Sequence, residues 1–243
     1  VSEASRDENC VTVSCDYCYF NDEKLAEAAD GTHTPILITT VRSGAIFADM
    51  VLAKGSHPHS VARLTDHCVW LGEARIKFRA DGEPAIQGLL DKVGIERKRL
   101  GRSVGPDQTP KGDSQAGGEQ EGAATVFKNK ARTLWHQACE LHGIADRADH
   151  PLLPWLVQYA VQLVTRAHLH PDGRSSWSKV TGRREYPRAF VPWGEKVPYI
   201  AGDGTFKAGL NPTWQEGLFV SLAHQPCPYT TAPPRRIDTT PNP

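Results

Sequence analysis

The order of apolar segments in the N-terminal part of the chain most limits the folds open to it. Three runs rich in β-branched and aromatic residues occupy 11–20, 35–41 and 44–51. Short polar stretches that contain Gly31 and Ser43 separate these runs. Runs of this composition with turn signals between them predict a three-stranded meander.

After the third run, the spacing of apolar residues becomes helical. A helix is predicted from Ser60, a possible cap, to Gly72. Apolar and basic residues then alternate at 75–80, which predicts a fourth strand. Pro84–Val93 predicts a short helix that ends at the following glycine, and 95–104 predicts a fifth strand.

The rest of the chain predicts helices first and short strands later. A long helix is predicted at 114–142, and a second, largely buried helix at 152–167. From Pro187 the sequence contains Pro- and Gly-rich short strands, which indicate a small β module. The predicted segments are a core at 1–150, a helical linker at 151–185, the β module at 186–225 and a disordered tail at 226–243.

The order β-β-β-α-β-α followed by a helix resembles the ribonuclease H-like layout. That layout is an α/β fold with a mixed five-stranded sheet and flanking helices. Here we expect it to be followed by the helical linker and a small β-barrel-like module. Active-site carboxylates in this layout commonly lie on the first strand, just after the fourth strand and on a later helix.

Three acidic residues occupy those three contexts. Asp16 lies inside the apolar run 11–20, and Asp81 directly follows the predicted strand at 75–80. Glu121 lies near the start of the long helix. If the three carboxylates converge, they can hold two divalent metal ions, which is the equipment for in-line phosphoryl transfer on nucleic acid.

Each acid also has a structural interpretation. A buried Asp16 costs free energy unless it is paired or bound to metal, so a paired structural role stays open. Asp81 precedes a glycine, which is common in turns. For Glu121 the alternative is a solvated helix face, where most helical glutamates lie. Glu119 is a rival for the third acid, and it lies about 200° away around the helix.

Composition agrees with a globular protein and divides the charge unevenly. The chain of 243 residues has 28 Lys+Arg and 28 Asp+Glu, which gives a net charge of zero. Residues 1–122 carry 14 basic against 19 acidic residues, and 123–243 carry 14 against 9. An acidic metal-binding half joined to a basic half suits an enzyme that processes DNA, although random drift of surface charge explains it equally well.

The spacing of the cysteines and the length of the apolar runs indicate the cellular setting that we expect for the chain. The six Cys are irregularly spaced, so we expect reduced thiols and an intracellular setting. No run approaches the ~18 apolar residues that span a bilayer, so we expect no membrane association. The chain begins with Val1 rather than Met, which suggests a fragment or a segment of a longer polyprotein.

Several short motifs follow one another along the chain. They are Asp81-Gly82-Glu83-Pro84 after a strand, Ser114-Gln115-Ala116-Gly117-Gly118-Glu119-Gln120-Glu121 followed by Lys128 and Arg132, Pro154-Trp155-Leu156, Asp172-Gly173 with Gly182-Arg183, Trp193-Gly194-Glu195-Lys196-Val197, and Trp214-Gln215-Glu216-Gly217-Leu218-Phe219-Val220. With these motifs, the region 11–222 resembles the integrase of retrotransposons, the copia-type branch in particular.

The resemblance implies an integrase catalytic core that cleaves DNA phosphodiesters and transfers strands. It implies that Asp16, Asp81 and Glu121 are catalytic and bind two Mg²⁺ or Mn²⁺ ions, with Asp16 bridging both. It also implies that the partners are the ends of the element, target DNA and further copies of the chain. We therefore expect a nuclear protein that acts on chromosomal DNA.

Three residues of the long helix are candidates for DNA contact. Gln115 belongs to the third-acid motif, and Lys128 and Arg132 follow Glu121 on the same helical face. A solvated basic face is an equally open interpretation for Lys128 and Arg132.

Two other functions stay open. The family's Asn and basic residue are replaced by Gly117 and Gly122, and each glycine weakens a helix by up to ~1 kcal/mol against Ala. A decayed or repurposed integrase that serves as a non-catalytic nucleic-acid-binding or assembly module would fit these departures. A ribonuclease H shares the fold, but we would expect it to have a fourth acid and a His in a mobile loop.

Overall fold

The computed structural model describes residues 10–20, 34–105, 114–144, 150–184, 186–200, 214–221 and 230–232. Side chains are described for all of these except 114–120 and 230–232. The chain divides into two compact units, of which one comprises Val1–Asn129 and Val161–Tyr186 and the other Lys130–Ala160 and Pro187–Pro243. The domain boundaries that the sequence predicts stay a prediction.

The first unit contains a mixed five-stranded sheet. Its strands are β1 (Val11–Cys18), β2 (Ile36–Val41), β3 (Ile46–Met50), β4 (Arg75–Arg79) and β5 (Ser103–Gly105), in the order β3-β2-β1-β4-β5. β2 pairs antiparallel with β1 and β3, whereas β4 pairs parallel with β1 and β5. This order and these directions are those of the ribonuclease H-like fold, so the predicted fold class is confirmed.

Helices cover the sheet and connect its later strands. The described residues form α1 (Pro58–Trp70), α2 (Pro84–Arg99), α3 (Ser114–His142), α4 (Leu153–Ala167) and α5 (Ser176–Thr181). Alternate residues of β1, such as Val13 and Cys15, are buried in one core with Leu64 of α1 and Leu89 of α2. In the part of the chain that is described, no helix is long and apolar enough to cross a membrane.

The helix α2 is longer than the sequence predicts. The predicted end at Gly94 and the predicted strand at 95–104 were wrong, because α2 continues to Arg99 and β5 comprises only Ser103–Gly105. Val93 and Arg97, four residues apart on one helical face, are both fully buried. Because this face is buried, the helix continues past Gly94 instead of ending there.

Arg97 shows why sequence periodicity failed there. Its Nη2 donates to the carbonyl oxygens of Glu73 at 3.1 Å, Ala74 at 3.4 Å and Ser103 at 3.4 Å. These three acceptors around Nη2 offset part of the cost of burying the guanidinium, whereas Nε and Nη1 are buried without a hydrogen-bond partner among the described residues. A buried arginine breaks the apolar pattern on which a helix prediction depends.

Helix ends differ from the predictions at two places. α1 is capped by His57, whose Nδ1 accepts from the backbone N–H of His59 at 3.3 Å, whereas Ser60 lies buried within the first turn. The short α5 was not predicted. It is capped by Ser175, whose Oγ accepts from the N–H of Ser178, and ends at Gly182 with a φ of +70°.

The second unit contains a three-stranded antiparallel sheet of β6 (Lys196–Ile200), β7 (Trp214–Ser221) and β8 (Thr230–Ala232). β6 and β7 fall in the predicted β module. β8 falls in the segment predicted as a disordered tail, and for these three residues the prediction was wrong because their backbone pairs with β7. The other residues of that tail lie outside the described residues.

Candidate active site

The pairing of β1 with β4 relates the positions of Asp16 and Asp81. β1 and β4 pair in parallel from Val11↔Ile76 to Ser14↔Arg79, a constant offset of 65 residues (76 − 11). The gap from Asp16 to Asp81 is also 65 (81 − 16). The observed pairs end at Ser14↔Arg79, and Asp81 lies in the turn after β4, so the equal offset makes the two acids neighbours only if the register continues for two more residues.

Asp16 points away from the core under α1 and α2. Its neighbours Cys15 and Tyr17 are buried in that core, and successive side chains of a strand point to opposite faces. Asp16 is half-buried, and its Oδ1 accepts from the backbone N–H of Tyr17 at 2.7 Å. Its Cα partner on β2 is Ile38, which is buried on the same face.

The turn that carries Asp81 is fixed by two hydrogen bonds. Asp81 is exposed, and its Oδ1 accepts from the backbone N–H of Glu83 at 3.1 Å. Nε2 of Gln87 donates to the carbonyl oxygen of Asp81 at 2.8 Å. Both partners belong to the first turns of α2 or its cap, so the position of Asp81 depends on the start of that helix.

The helix α3 approaches the end of β1, where Asp16 lies. The buried ring of Phe127 packs against Phe20, with centroids 5.9 Å apart, and Phe20 lies two residues beyond the end of β1. Glu121 lies six residues before Phe127, about 9 Å along the helix axis. Glu121 is exposed, and its carbonyl oxygen accepts from Oγ1 of Thr125 at 2.9 Å.

The predicted DNA contacts have different surroundings. Lys128 is half-buried in the first unit, and Arg132 is exposed in the second. The side chains of Gln115 and of Glu119, the rival third acid, lie outside the described residues. The choice of Glu121 over Glu119 therefore stays a prediction, as does DNA contact by the three residues.

Metal binding by the three predicted acids stays a prediction. Within the described residues, no group of three or more His, Cys, Asp and Glu side chains is arranged to hold a metal ion. Asp16 and Asp81 nevertheless form a pair of candidate ligands, because β1 pairs in parallel with β4 and Asp81 follows β4 by two residues. Mg²⁺ is commonly held by one or two carboxylates and otherwise by water and substrate oxygens, so this pair fits it. The assignment of Glu121 as a further ligand stays a prediction.

Sequence reasoning missed Lys54, which lies in the loop after β3. Its Nζ is 3.1 Å from Oε1 and 3.3 Å from Oε2 of Glu83. The same atom lies 5.6 Å from the ring centroid of Tyr17 and 5.9 Å from that of Tyr19. These contacts join residues far apart in the chain, so no local signal in the sequence could have indicated them.

A second missed cluster surrounds Asp49 of β3, which is 1% exposed. Its Oδ1 accepts from Nε of Arg63 at 2.8 Å, and its Oδ2 lies 2.9 Å from Nε2 of His67. The ring of His67 stacks on Phe47, with centroids 4.6 Å apart. Burial alone would raise the pKa of Asp49, but His67 and Arg63 outweigh it and hold the pKa well below its usual range.

Similar folds among solved structures include three integrases. The catalytic core domain of BIV integrase has a TM-score of 0.46 and 11% identity, with 70% of this chain and 93% of that chain covered. The catalytic core domain of HTLV-2 integrase, in its trimeric complex with magnesium, has a TM-score of 0.46 and 12% identity, with 69% and 93% covered. A chain of the simian T-cell lymphotropic virus intasome in complex with PP2A regulatory subunit B56 gamma has a TM-score of 0.49 and 12% identity. The match covers 91% of this chain and 75% of that chain.

These TM-scores are below 0.5, so the fold assignment rests on the strand order and directions given above. No protein-family model and no curated protein matches the chain. The likeness concerns the fold alone, and the chemistry has to be argued from the residues of this chain.

Proposed function

We propose that this chain is the catalytic region of a retroelement integrase of the copia type, which cleaves DNA phosphodiesters and transfers strands. The observation that carries the proposal is that β1, which contains Asp16, pairs in parallel with β4, which Asp81 follows by two residues. The ribonuclease H-like strand order around the two acids and the third-acid motif at 114–121 support it. Asp16 is held by strand β1 and Asp81 by a turn with two hydrogen bonds, which suits chemistry that depends on position.

We assign Asp16, Asp81 and Glu121 as ligands of two Mg²⁺ or Mn²⁺ ions. Bound metal would activate the attacking oxygen and stabilise the leaving oxygen of the phosphodiester. Asp16 is fixed by the N–H of Tyr17 and is assigned the bridging position. Glu121 is exposed, so we expect it to complete the site only when metal and DNA are bound.

The proposed partners are the ends of the element and target DNA. We assign Gln115, Lys128 and Arg132 to DNA contact: the cations of Lys128 and Arg132 suit phosphates, and the neutral amide of Gln115 can donate hydrogen bonds. Self-association follows from the same proposal, since integration joins two DNA ends to one target. The proposed place of action is the nucleus.

Mn²⁺-dependent strand transfer, or its reversal on a branched DNA substrate, tests the proposal. We expect activity in the parent chain and a loss of roughly 100-fold or more in Asp81→Asn and Glu121→Gln, since each removes a metal ligand. Asp91→Asn, an exposed acid on α2, is the matched control and should keep full activity. Activity that survives Asp81→Asn would contradict the proposal, and loss in Glu119→Gln but not in Glu121→Gln would move the third ligand to Glu119.

One observation favours a second function. The described acids do not form a three-ligand group, and Gly122 stands where the family has a basic residue. A repurposed integrase would then bind nucleic acid without cleaving it. Fluorescence anisotropy with labelled DNA, run beside the cleavage assay, separates the two: tight binding that is unchanged by Asp81→Asn, with no cleavage at any Mn²⁺ concentration, would support the binding module.

A further inference from the structure

The loop after β3 is attached to β1 next to Asp16. The backbone N–H of Gly55 donates to Oη of Tyr17 at 2.9 Å, and Tyr17 directly follows Asp16 in the strand. Gly55 has a φ of +107°, which other residues rarely adopt, so the loop needs glycine here to make this turn. The loop therefore has a defined position beside the end of β1.

The same loop holds the turn that carries Asp81. Lys54 precedes Gly55 and pairs with both carboxylate oxygens of Glu83. Glu83 is the N-cap of α2, yet its side chain makes no capping hydrogen bond, because its carboxylate is directed to Lys54. The backbone N–H of Glu83 in turn donates to Oδ1 of Asp81. Lys54 therefore contacts Tyr17, which directly follows Asp16, and Glu83, which lies two residues after Asp81.

Aromatic rings enclose the cation of this pair. The Nζ of Lys54 lies within cation–π range of the Tyr17 and Tyr19 rings, both of which come from the end of β1. The side chains of Lys54 and Glu83 are 31% and 30% exposed, so solvent screens the pair and its share of the overall stability is small. The contacts fix local geometry rather than stabilise the fold.

We propose that Lys54 is a positioning residue of the candidate active site. It contacts Tyr17 beside Asp16 and Glu83 beside Asp81, and so fixes the distance between the two carboxylates that share a divalent cation. Gln87 fixes the Asp81 turn from the side of α2. The inference rests on the proposed function and adds to it a residue that need not touch metal or DNA.

Calorimetric titration of the full chain with Mn²⁺ tests the inference without relying on catalysis. We expect Lys54→Met to weaken Mn²⁺ binding about 10-fold, the usual effect of removing a partner that orients a ligand. Glu83→Gln should weaken it to a similar extent, and the double variant should be little worse than either, because one interaction is removed in both. Lys54→Arg should bind nearly as the parent does, and Lys92→Met, an exposed lysine on α2, is the matched control.

The outcomes separate the two proposals. A parent that binds no Mn²⁺, or whose binding survives Asp16→Asn and Asp81→Asn, overturns the metal site and the role of Lys54 with it. Binding that depends on both acids but is unchanged in Lys54→Met and Glu83→Gln overturns the role of Lys54 alone. Thermal unfolding supplies the remaining control, since a merely structural role would lower the midpoint and leave Mn²⁺ affinity unchanged; if Lys54→Met does not fold, Glu83→Gln decides.

Discussion

Two carboxylates of the central sheet, Asp49 and Asp81, have opposite surroundings. Asp49 is buried, with Arg63 on one oxygen and His67 beside the other. Asp81 is exposed, and at Oδ1 it accepts a backbone hydrogen bond from Glu83. Within the described residues, Asp81 has no ion pair, whereas the charge of Asp49 is compensated by two side chains.

The difference separates a structural acid from a candidate ligand. A buried carboxylate remains charged only if nearby cations offset its desolvation, and those cations then occupy its oxygens. A metal ligand needs a fixed position and oxygens that a cation can still reach. Asp49 meets the first description and Asp81 the second, although the sequence offers an Asp at the end of a strand in both places.

The largest effect should come from Asp81→Asn, measured as activity. We expect Mn²⁺-dependent strand transfer to fall by about 100-fold or more, while the free energy of unfolding changes by less than ~0.5 kcal/mol, since the residue is exposed. Strand-transfer assays measure the loss of activity, and urea unfolding of the same preparation measures the change in stability. A large loss of stability would mean that Asp81, like Asp49, serves the fold.

Asp49→Asn should lower stability strongly, whereas Asp81→Asn should leave it nearly unchanged. Removing one partner of a buried ion pair leaves uncompensated charge on Arg63, and we expect the free energy of unfolding to fall by about 3 kcal/mol. Urea unfolding measures this change in free energy, provided that the m-value is the same in the variant and the parent. A variant as stable as the parent would show that the cluster gives no net stability.

The stability of the parent should also depend on acid pH through Asp49. Because the folded-state pKa of Asp49 is depressed, its contribution is present above the unfolded pKa of about 3.9 and is lost as pH falls through the folded value. Urea midpoints taken between about pH 6 and pH 2 should therefore fall more steeply for the parent than for Asp49→Asn. Equal slopes would refute this assignment.

The smallest effect is expected at Asp66, which shares Arg63 with Asp49 but lies at the surface. Its Oδ2 is 3.5 Å from Nη1 of Arg63, and its side chain is 63% exposed. Exposed pairs of this kind contribute little, so Asp66→Asn should change the free energy of unfolding by less than ~0.5 kcal/mol. Asp49 differs from Asp66 in its burial and in its second partner, His67, so the comparison measures the joint effect of the two. A loss comparable to that of Asp49→Asn would show that neither difference matters for stability.

Local patterns predicted most of the sheet correctly. The runs at 11–20, 35–41 and 75–80 contain β1, β2 and β4, because alternation and β-branched residues report burial of a strand on a pleated surface. The pattern failed at 95–104, where α2 continues, because the burial of Arg97 depends on carbonyl groups supplied by distant segments. It failed again at β8, since pairing with β7 is decided by an edge elsewhere in the chain.

The candidate site was predictable only in part. The sequence context made Asp16 and Asp81 candidates, and their gap of 65 residues equals the offset between β1 and β4, but their role stays a prediction. The sequence contains no sign that Lys54 joins the two acidic segments, because Glu83 lies 29 residues away. Charge compensation at Asp49 was equally invisible, since its partners come from a helix that packs on the strand.

By itself, the sequence determined which segments become strands and helices in the sheet and which acids stand at the strand ends. These features follow from side-chain period and from the cost of placing a charge in an apolar run, both of which are local. Only the tertiary structure decided that Asp49 is buried beside Arg63 and His67, whereas Asp81 is exposed in a turn. Those outcomes depend on contacts between residues far apart in the chain, and such contacts are set by how the sheet and its helices pack.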